Sequence, residues 1–377
     1  MDSKVYKCQL KTLSPIFIGS GKNYGPSEYV NANAKQGDKK VKIIKRVDFA
    51  NFYMSLDEDK QDKFLASLSN PNYRLEQEYD KIPKEFTRYN SINKSSLNKD
   101  SSHAPDISEH IKTSDKLYIP GSSIKGAIKT AIFYNLLGYD DMDKISDYVR
   151  NGNRGPYIDK RGFNNFADTF FSAPGRNPEQ KSIMRFIQIS DSTTSNLPTI
   201  YEILTIMAKS RGGMPSGVGN YSRGGSTVKT YLETIDKDRK FTINFTINYD
   251  KDLLEEVNLT DKGFILDIDY LKKVIYEFSR DLIQYELDFA EKYKIDYLED
   301  FYNDLTEKNC LESPLLRIGA GSGLMATSIS MKIKDYDPLL FDDIRETFRR
   351  QYPYEFPKSR KVTKTGLPLS WVQLNFK

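Results

Sequence analysis

From Phe241 to Tyr249 the chain alternates without a break. Phe241, Ile243, Phe245, Ile247 and Tyr249 are apolar or aromatic, and Thr242, Asn244, Thr246 and Asn248 between them are polar. Successive side chains on a strand point to opposite faces, so this segment predicts a strand with one face on a core and the other on water. Antiparallel sheets accommodate that asymmetry, whereas parallel sheets are covered on both faces. The cover has to come from helices, and residues 266–293 and 297–309 carry long helical patterns. Sheets with helices on one side point to an α+β fold rather than a doubly wound one.

The chain is long enough to build such a layer twice. It has 377 residues, 38% hydrophobic and 12% aromatic, which excludes a disordered polymer and a small disulfide scaffold. Cys8 and Cys310 lie far apart, and His103 and His110 share one polar stretch, so no zinc spacing and no disulfide framework is expected. No cofactor or metal is implied. The first residues lack an apolar signal region and no run approaches the roughly 20 apolar residues that span a bilayer, which predicts a soluble cytoplasmic protein. Lys and Arg total 56 against 52 Asp and Glu, a net charge of only +4, so the distribution of charge matters more than its sum.

Two halves show the same plan. Tyr6, Cys8 and Leu10 alternate with polar residues and run into a glycine turn at Ser14–Gly21; Leu315–Ile318 runs into Gly319–Gly323 in the same way. Between them, residues 48–68 look helical, 70–116 read as a polar insertion, a helix is expected from about Ser122 to Leu137, and 150–181 reads as a linker or loop. Strands are expected near 183–189, 200–207 and 371–376, and a helix near 339–350. The division that follows is 1–175 and 176–377, with a helical insertion at about 251–312 in the second part.

Glycine turns invite a nucleotide reading, which fails on inspection. Gly121-Ser122-Ser123-Ile124-Lys125-Gly126 is followed by Ala127 and Ile128 where a P-loop needs Lys and a hydroxyl, and Gly319-Ala320-Gly321-Ser322-Gly323 is followed by Leu324 where the dinucleotide fingerprint needs glycine. The helix at Ser122 carries a different signal. Ile124, Ala127, Ile128 and Ala131 mark its buried face, and Ser122, Lys125 and Lys129 line up on the other. Lys125 in the first turn opposes the helix dipole, a conflict that a phosphate would relieve. The alternative is that both lysines simply solvate an exposed face.

From Lys209 to Ser226 there are Lys209, Arg211, Arg223 and Tyr221 among many glycines with no acid, a combination that suits single-stranded RNA or, equally, a solvated hairpin. The end of the chain is basic, with Arg349, Arg350, Lys358, Arg360, Lys361 and Lys364, while 251–312 holds many more acids than bases. Catalytic sets are not suggested. Both histidines are expected at the surface, and Glu28 and Asp48 are isolated carboxylates.

Four segments taken in order, Leu13–Gly21, Tyr118–Ala127, Leu316–Gly323 and Gly366–Val372, resemble the RAMP proteins of type III CRISPR effector complexes. Length and the helical second half are most similar to the Csm-complex subunit at the crRNA 3′ end. The resemblance implies two RRM-like (ferredoxin-like) domains that cradle crRNA through glycine loops. It also implies a non-catalytic subunit with crRNA, target RNA, the backbone RAMP subunit and host nucleases that trim the crRNA 3′ end as partners. The target-cutting backbone subunits use a loop aspartate, and none lies between Ser20 and Glu28. Carried onto this chain, the RNA-facing positions are Ser20, Gly21 and Lys22, then Ser122, Ser123, Lys125 and Lys129, then Gly319, Gly321, Ser322 and Gly323; Tyr24, Arg211, Arg223 and Arg317 are added from their residue chemistry. The second possibility is a RAMP endoribonuclease that cleaves precursor crRNA.

Overall fold

The computed structural model describes residues 2–70, 73–79, 82–98, 104–152, 155–175, 181–212, 214–348 and 355–377. Two sheets dominate. The first has five strands in the order Ile187–Ile189, Lys240–Tyr249, Asp2–Thr12, Trp371–Phe376 and Leu315–Arg317. Every neighbouring pair in it is antiparallel. The alternation read from the sequence holds as far as Ile247 and reverses at the strand's end: Phe241, Ile243, Phe245 and Ile247 are buried and Thr242 and Asn244 exposed, but Asn248 is buried and Tyr249 is open to solvent. Asp2–Thr12 is the central strand, with Cys8 opposite both Ile243 and Phe376, so the two ends of the chain are joined in one sheet.

Two helices cover the apolar face. Gly121–Leu136 follows the first strand in sequence and contributes Ile124, Ile128, Ala131 and Ile132; Ile268–Lys292 follows Lys240–Tyr249 and contributes Leu271, Val274, Ile275, Phe278 and Leu282 to the same core. Taken in chain order, the strands of this sheet and its two helices run strand, helix, strand, strand, helix, strand, a βαββαβ arrangement extended by the final strand Trp371–Phe376. The acid-rich 251–312 region is therefore no insertion, since its main helix is the second crossover of the sheet.

The second sheet has nine strands. Its path runs Gly19–Tyr24, Ile107–His110, Lys229–Thr234, Thr199–Arg211, Thr87–Asn93, Lys39–Val47 and Tyr29–Gln36, and Met214–Asn220 and Ser359–Thr363 also pair with Thr199–Arg211. Both sheets take strands from both sides of residue 175, so a cut there separates neither. The polar 70–116 stretch supplies two of these strands instead of forming a loop insertion. They are short and rich in Asn and Ser, and Ile92 and Ile107 alone are too sparse to show a period. Likewise 150–181 is not a linker where it is described: the paired strands Val149–Gly152 and Gly155–Ile158 and a helix at Lys160–Thr169 gather Phe163, Phe166, Phe170 and Phe171 near Phe133. Residues 48–68 form two helices, Phe49–Met54 and Glu58–Leu68, each started by an aspartate (Asp48, Asp57) that accepts a backbone N–H. Among the described residues no helix is long and apolar enough to cross a membrane.

Candidate nucleic-acid interface

Three of the four motif segments interlock. Leu13 N–H donates to the Trp371 carbonyl (2.9 Å), Trp371 N–H donates to Ser14 Oγ (2.9 Å), and Ser370 N–H donates to the Pro15 carbonyl (2.9 Å). Ser370 also donates its hydroxyl to the Ala320 carbonyl (2.7 Å), and Ala320 N–H donates to the Phe17 carbonyl (2.8 Å). The late glycine loop thus lies against the early Ser-Pro-Ile turn. Glycine is required at 319, where φ is +81° and a Cβ would sit 2.5 Å from the Phe17 carbonyl oxygen.

His110 ties in the fourth segment. Its Nδ1 accepts from Ile18 N–H (3.2 Å), so the neutral ring carries its proton on Nε2, which donates to the Tyr118 carbonyl (3.0 Å). It is fully buried, correcting the surface placement expected of it, and burial lowers its pKa to about 4. His103 lies outside the described residues. Beyond Tyr118 the helix Gly121–Leu136 begins. Gly121 packs so closely on the neighbouring strand that a Cβ would meet the Ile189 carbonyl oxygen at 2.1 Å. Asp191 accepts the Gly121 N–H (2.8 Å), so a protein carboxylate already holds part of the helix start that the sequence offered to a phosphate.

The interlock brings the Ser20, Gly21 and Lys22 stretch, the Ser122 helix and the Gly319–Gly323 loop to one region. Ser20 is half-exposed and its hydroxyl accepts from Lys22 N–H (3.2 Å), while Gly21, Lys22 and Ser122 are exposed. Ser123 and Lys125 are half-buried; Lys125 has no carboxylate partner among the described residues, and burial lowers its pKa. Lys129 sits 4.8 Å from the Phe171 ring centroid and 3.6 Å from Asp168. We expect Lys125→Ala with Lys129→Ala to leave the fold intact. The plot of log affinity for single-stranded RNA against log salt should become shallower by about 1.4, at roughly 0.7 for each phosphate no longer neutralised. An unchanged slope in a salt titration returns both lysines to a solvated face.

Three expected contacts are corrected. Tyr24 is buried beneath Arg46, whose guanidinium carbon is 4.5 Å from its ring centroid. Arg317 is 4% exposed and bonded to Glu286 (2.8 Å), and Ser322 is 2% exposed with its hydroxyl donating to the Gly319 carbonyl (2.6 Å). Arg360, in the basic C-terminal run, also pairs with Glu286, while Arg349 and Arg350 of that run lie outside the described residues. Arg317 and Ser322 brace the glycine loop, and Tyr24 packs in a separate core with Tyr29, Ile44 and Ile107. Arg211 and Arg223 are exposed on the hairpin arm that begins in Thr199–Arg211, with Tyr221 beside them at 42% exposure, and no hydrogen bond or ion pair among the described residues ties them to the glycine cluster. Glu28 pairs with Arg46 (2.7 Å) and Asp48 caps a helix, so both carboxylates have structural partners.

Sequence reasoning misplaced His110 and missed Asp191 and Glu286. A lone His in a polar stretch carries no signal of the two backbone groups it will bridge. Glu286 was detectable only as an acid on the apolar stripe of its helix, beside Ile283, Leu287 and Ala290.

Among proteins of known sequence, the chain is similar to the CRISPR system Cms protein Csm5 of Streptococcus thermophilus, 26% identical over 394 residues that cover 98% of this chain and 88% of that one. The Csm5 of Methanocaldococcus jannaschii is 24% identical over 372 residues, covering 91% and 77%. Among solved structures, a chain of the Csm-crRNA-target RNA ternary complex of a type III-A CRISPR-Cas system superposes with a TM-score of 0.68 at 21% identity, covering 98% of this chain and 100% of that one. The crystal structure of T.onnurineus Csm5 gives 0.62 at 20% identity, covering 97% and 99%. The model of the RAMP superfamily matches residues 9–326, which include the early glycine turn, the Ser122 helix and the late glycine loop whose interlock is described above, and the chain belongs to that superfamily.

Proposed function

We propose that this chain is a non-catalytic, crRNA-binding subunit of a type III-A CRISPR (Csm) interference complex. It caps the 3′ end of the guide, supports crRNA maturation and target RNA binding, and acts in the cytoplasm. The observation that carries this is the meeting of three glycine-bearing segments, from residues 19–21, 121–126 and 319–323, around Ile18 and His110. Backbone amides and lysines at such a junction recognise phosphate without reading sequence, which a subunit that holds many different guides requires. The similarity to Csm5 proteins and to a chain of a crRNA-bound Csm complex supports the assignment. Its partners in this reading are crRNA, target RNA, the backbone RAMP subunit and the host nucleases that trim the guide.

The βαββαβ sheet with its two helices corresponds to one RRM-like unit, and we assign the second sheet to the other. The two units interleave along the chain, with the second inserted between strands of the first. The non-catalytic role is supported by what the candidate groups already do: His110 joins two backbone segments, and Glu28 and Asp48 hold Arg46 and a helix start. An endoribonuclease acting on a ribose 2′-OH needs a base free to take a proton, and His110 is not free.

Complexes assembled without this protein should yield crRNA with shortened or ragged 3′ ends and unchanged 5′ ends, read by sequencing the recovered RNA. Altered 5′ ends with intact 3′ ends would place the subunit at the other terminus.

A further inference from the structure

Leu324 follows directly on Gly323 and forms part of the wall of two cavities with opposite chemistry. The first, about 320 Å³, is walled by Phe133, Tyr148, Phe163 and Ile333, with the hydroxyls of Thr130 and Thr327 among them. The second, about 280 Å³, is walled by Arg317, Arg360 and Lys361 against the single carboxylate of Glu286, and by Gly321–Gly323. Three cations around one anion leave this cavity positive. The backbone N–H groups of Gly321, Ser322 and Gly323 donate to no acceptor among the described residues, so the loop presents donors as well as charge.

We propose that the apolar cavity receives one unstacked base of the bound RNA, with the attached phosphate turned toward the arginine cavity. A protein side chain would match the apolar cavity alone. A nucleotide carries a flat apolar ring and an anion on one scaffold, and Leu324 lines both cavities here. Aromatic residues line this cavity, and single-stranded RNA is commonly held through splayed bases on aromatic rings. Thr130 Oγ1 donates to the Gly126 carbonyl (3.2 Å) and Thr327 Oγ1 to the Gly323 carbonyl (3.0 Å), so each hydroxyl keeps lone pairs that can accept from a base N–H. Its volume falls at the small end of the roughly 300–1,000 Å³ usual for ligand pockets. The subsite rests on the RNA-binding function proposed above.

The test uses the full chain, a crRNA 3′ segment and a series of the same RNA with one abasic nucleotide at each position in turn. In the wild-type protein, one position should show an abasic penalty of about tenfold in affinity, the scale of one base–aromatic stack. Thr327→Phe, at an exposed site on the cavity wall, should weaken the intact RNA by a similar factor and erase that penalty; Ala167→Phe, which enters from the helix Lys160–Thr169, should do the same if the first variant does not fold. RNA that binds with equal abasic penalties in wild type and variants overturns the subsite and leaves the RNA-binding function standing. No RNA binding by the wild-type protein overturns both. Variants that bind every RNA as the wild type does but fail to enter the complex would assign the cavity to a protein neighbour and overturn the proposal.

Discussion

Glu286→Ala should destabilise the protein by about 3–5 kcal/mol, the usual cost of removing one partner from a buried ion pair and leaving the other charge uncompensated. Here two charges are left. Glu286 is 3% exposed, Arg317 4% and Arg360 8%, and the single carboxylate serves both guanidiniums. Burial alone would raise the pKa of Glu286, but Arg360 and Arg317 outweigh it and hold the carboxyl low, so it is ionised in the folded protein. Arg317 passes the effect to the interface: its Nη2 donates to the Gly321 carbonyl (3.3 Å) and its Nε to the Leu369 carbonyl (3.3 Å), so losing its anchor frees the glycine loop. Urea denaturation should show the loss as a lowered midpoint. A second variant, Glu286→Leu with Arg317→Met and Arg360→Met, should recover much of that stability, because a buried ionic triad can be replaced by packed apolar groups at little cost. It should still bind RNA weakly, since the bond from Arg317 to the Gly321 carbonyl of the loop is absent. A Glu286→Ala midpoint within experimental error of the wild type would show that the triad is not a determinant of stability.

The triad also shows where sequence reasoning stops. Strand alternation at 241–249, the helix behind Gly121 and the strand entering each glycine turn were legible because each is a local pattern with one period. The second sheet was not legible: it draws Thr87–Asn93 and Ile107–His110 from a stretch with too few apolar residues, and their burial comes from partners such as Thr199–Arg211 and Lys229–Thr234 more than a hundred residues later. Side-chain chemistry misled in a consistent direction. Arg317, Arg360 and Tyr24 have the residue types of an RNA surface, yet each is buried beside a group far away in sequence, Glu286 for the arginines and Arg46 for the tyrosine. A cation next to a glycine loop reads the same whether it faces a ligand or supports the loop from behind. Gly121 and Gly319 have a reason that is local, because the close backbone approach there is a requirement of geometry that no other residue meets.

Acid should open the same junction through His110, and the sign follows from its burial. Its folded-state pKa is lowered to about 4 by desolvation, against about 6.5 for a free imidazole, so the unfolded chain binds the extra proton first. The stability contributed by neutral His110 is therefore complete above about pH 6.5. It declines as pH falls and is lost once pH passes the folded value near 4, a total on the order of 3 kcal/mol at 1.36 kcal/mol per pKa unit. Protonation of Nδ1 also removes the acceptor for Ile18 N–H, the bond that joins the early glycine turn to the strand Ile107–His110. His110→Gln cannot titrate in this range and, with one short amide, does not span both Ile18 and Tyr118. Urea midpoints measured from pH 7.5 to 4.5 should show the variant less stable than wild type at neutral pH, with the gap closing toward pH 4.5. His103 and every carboxylate are shared by both proteins, so the difference between the two curves reports His110 alone. Parallel curves across this interval would mean that His110 does not carry the acid sensitivity, and would remove the imidazole as the clasp between the Ile18 turn and the Ser122 helix.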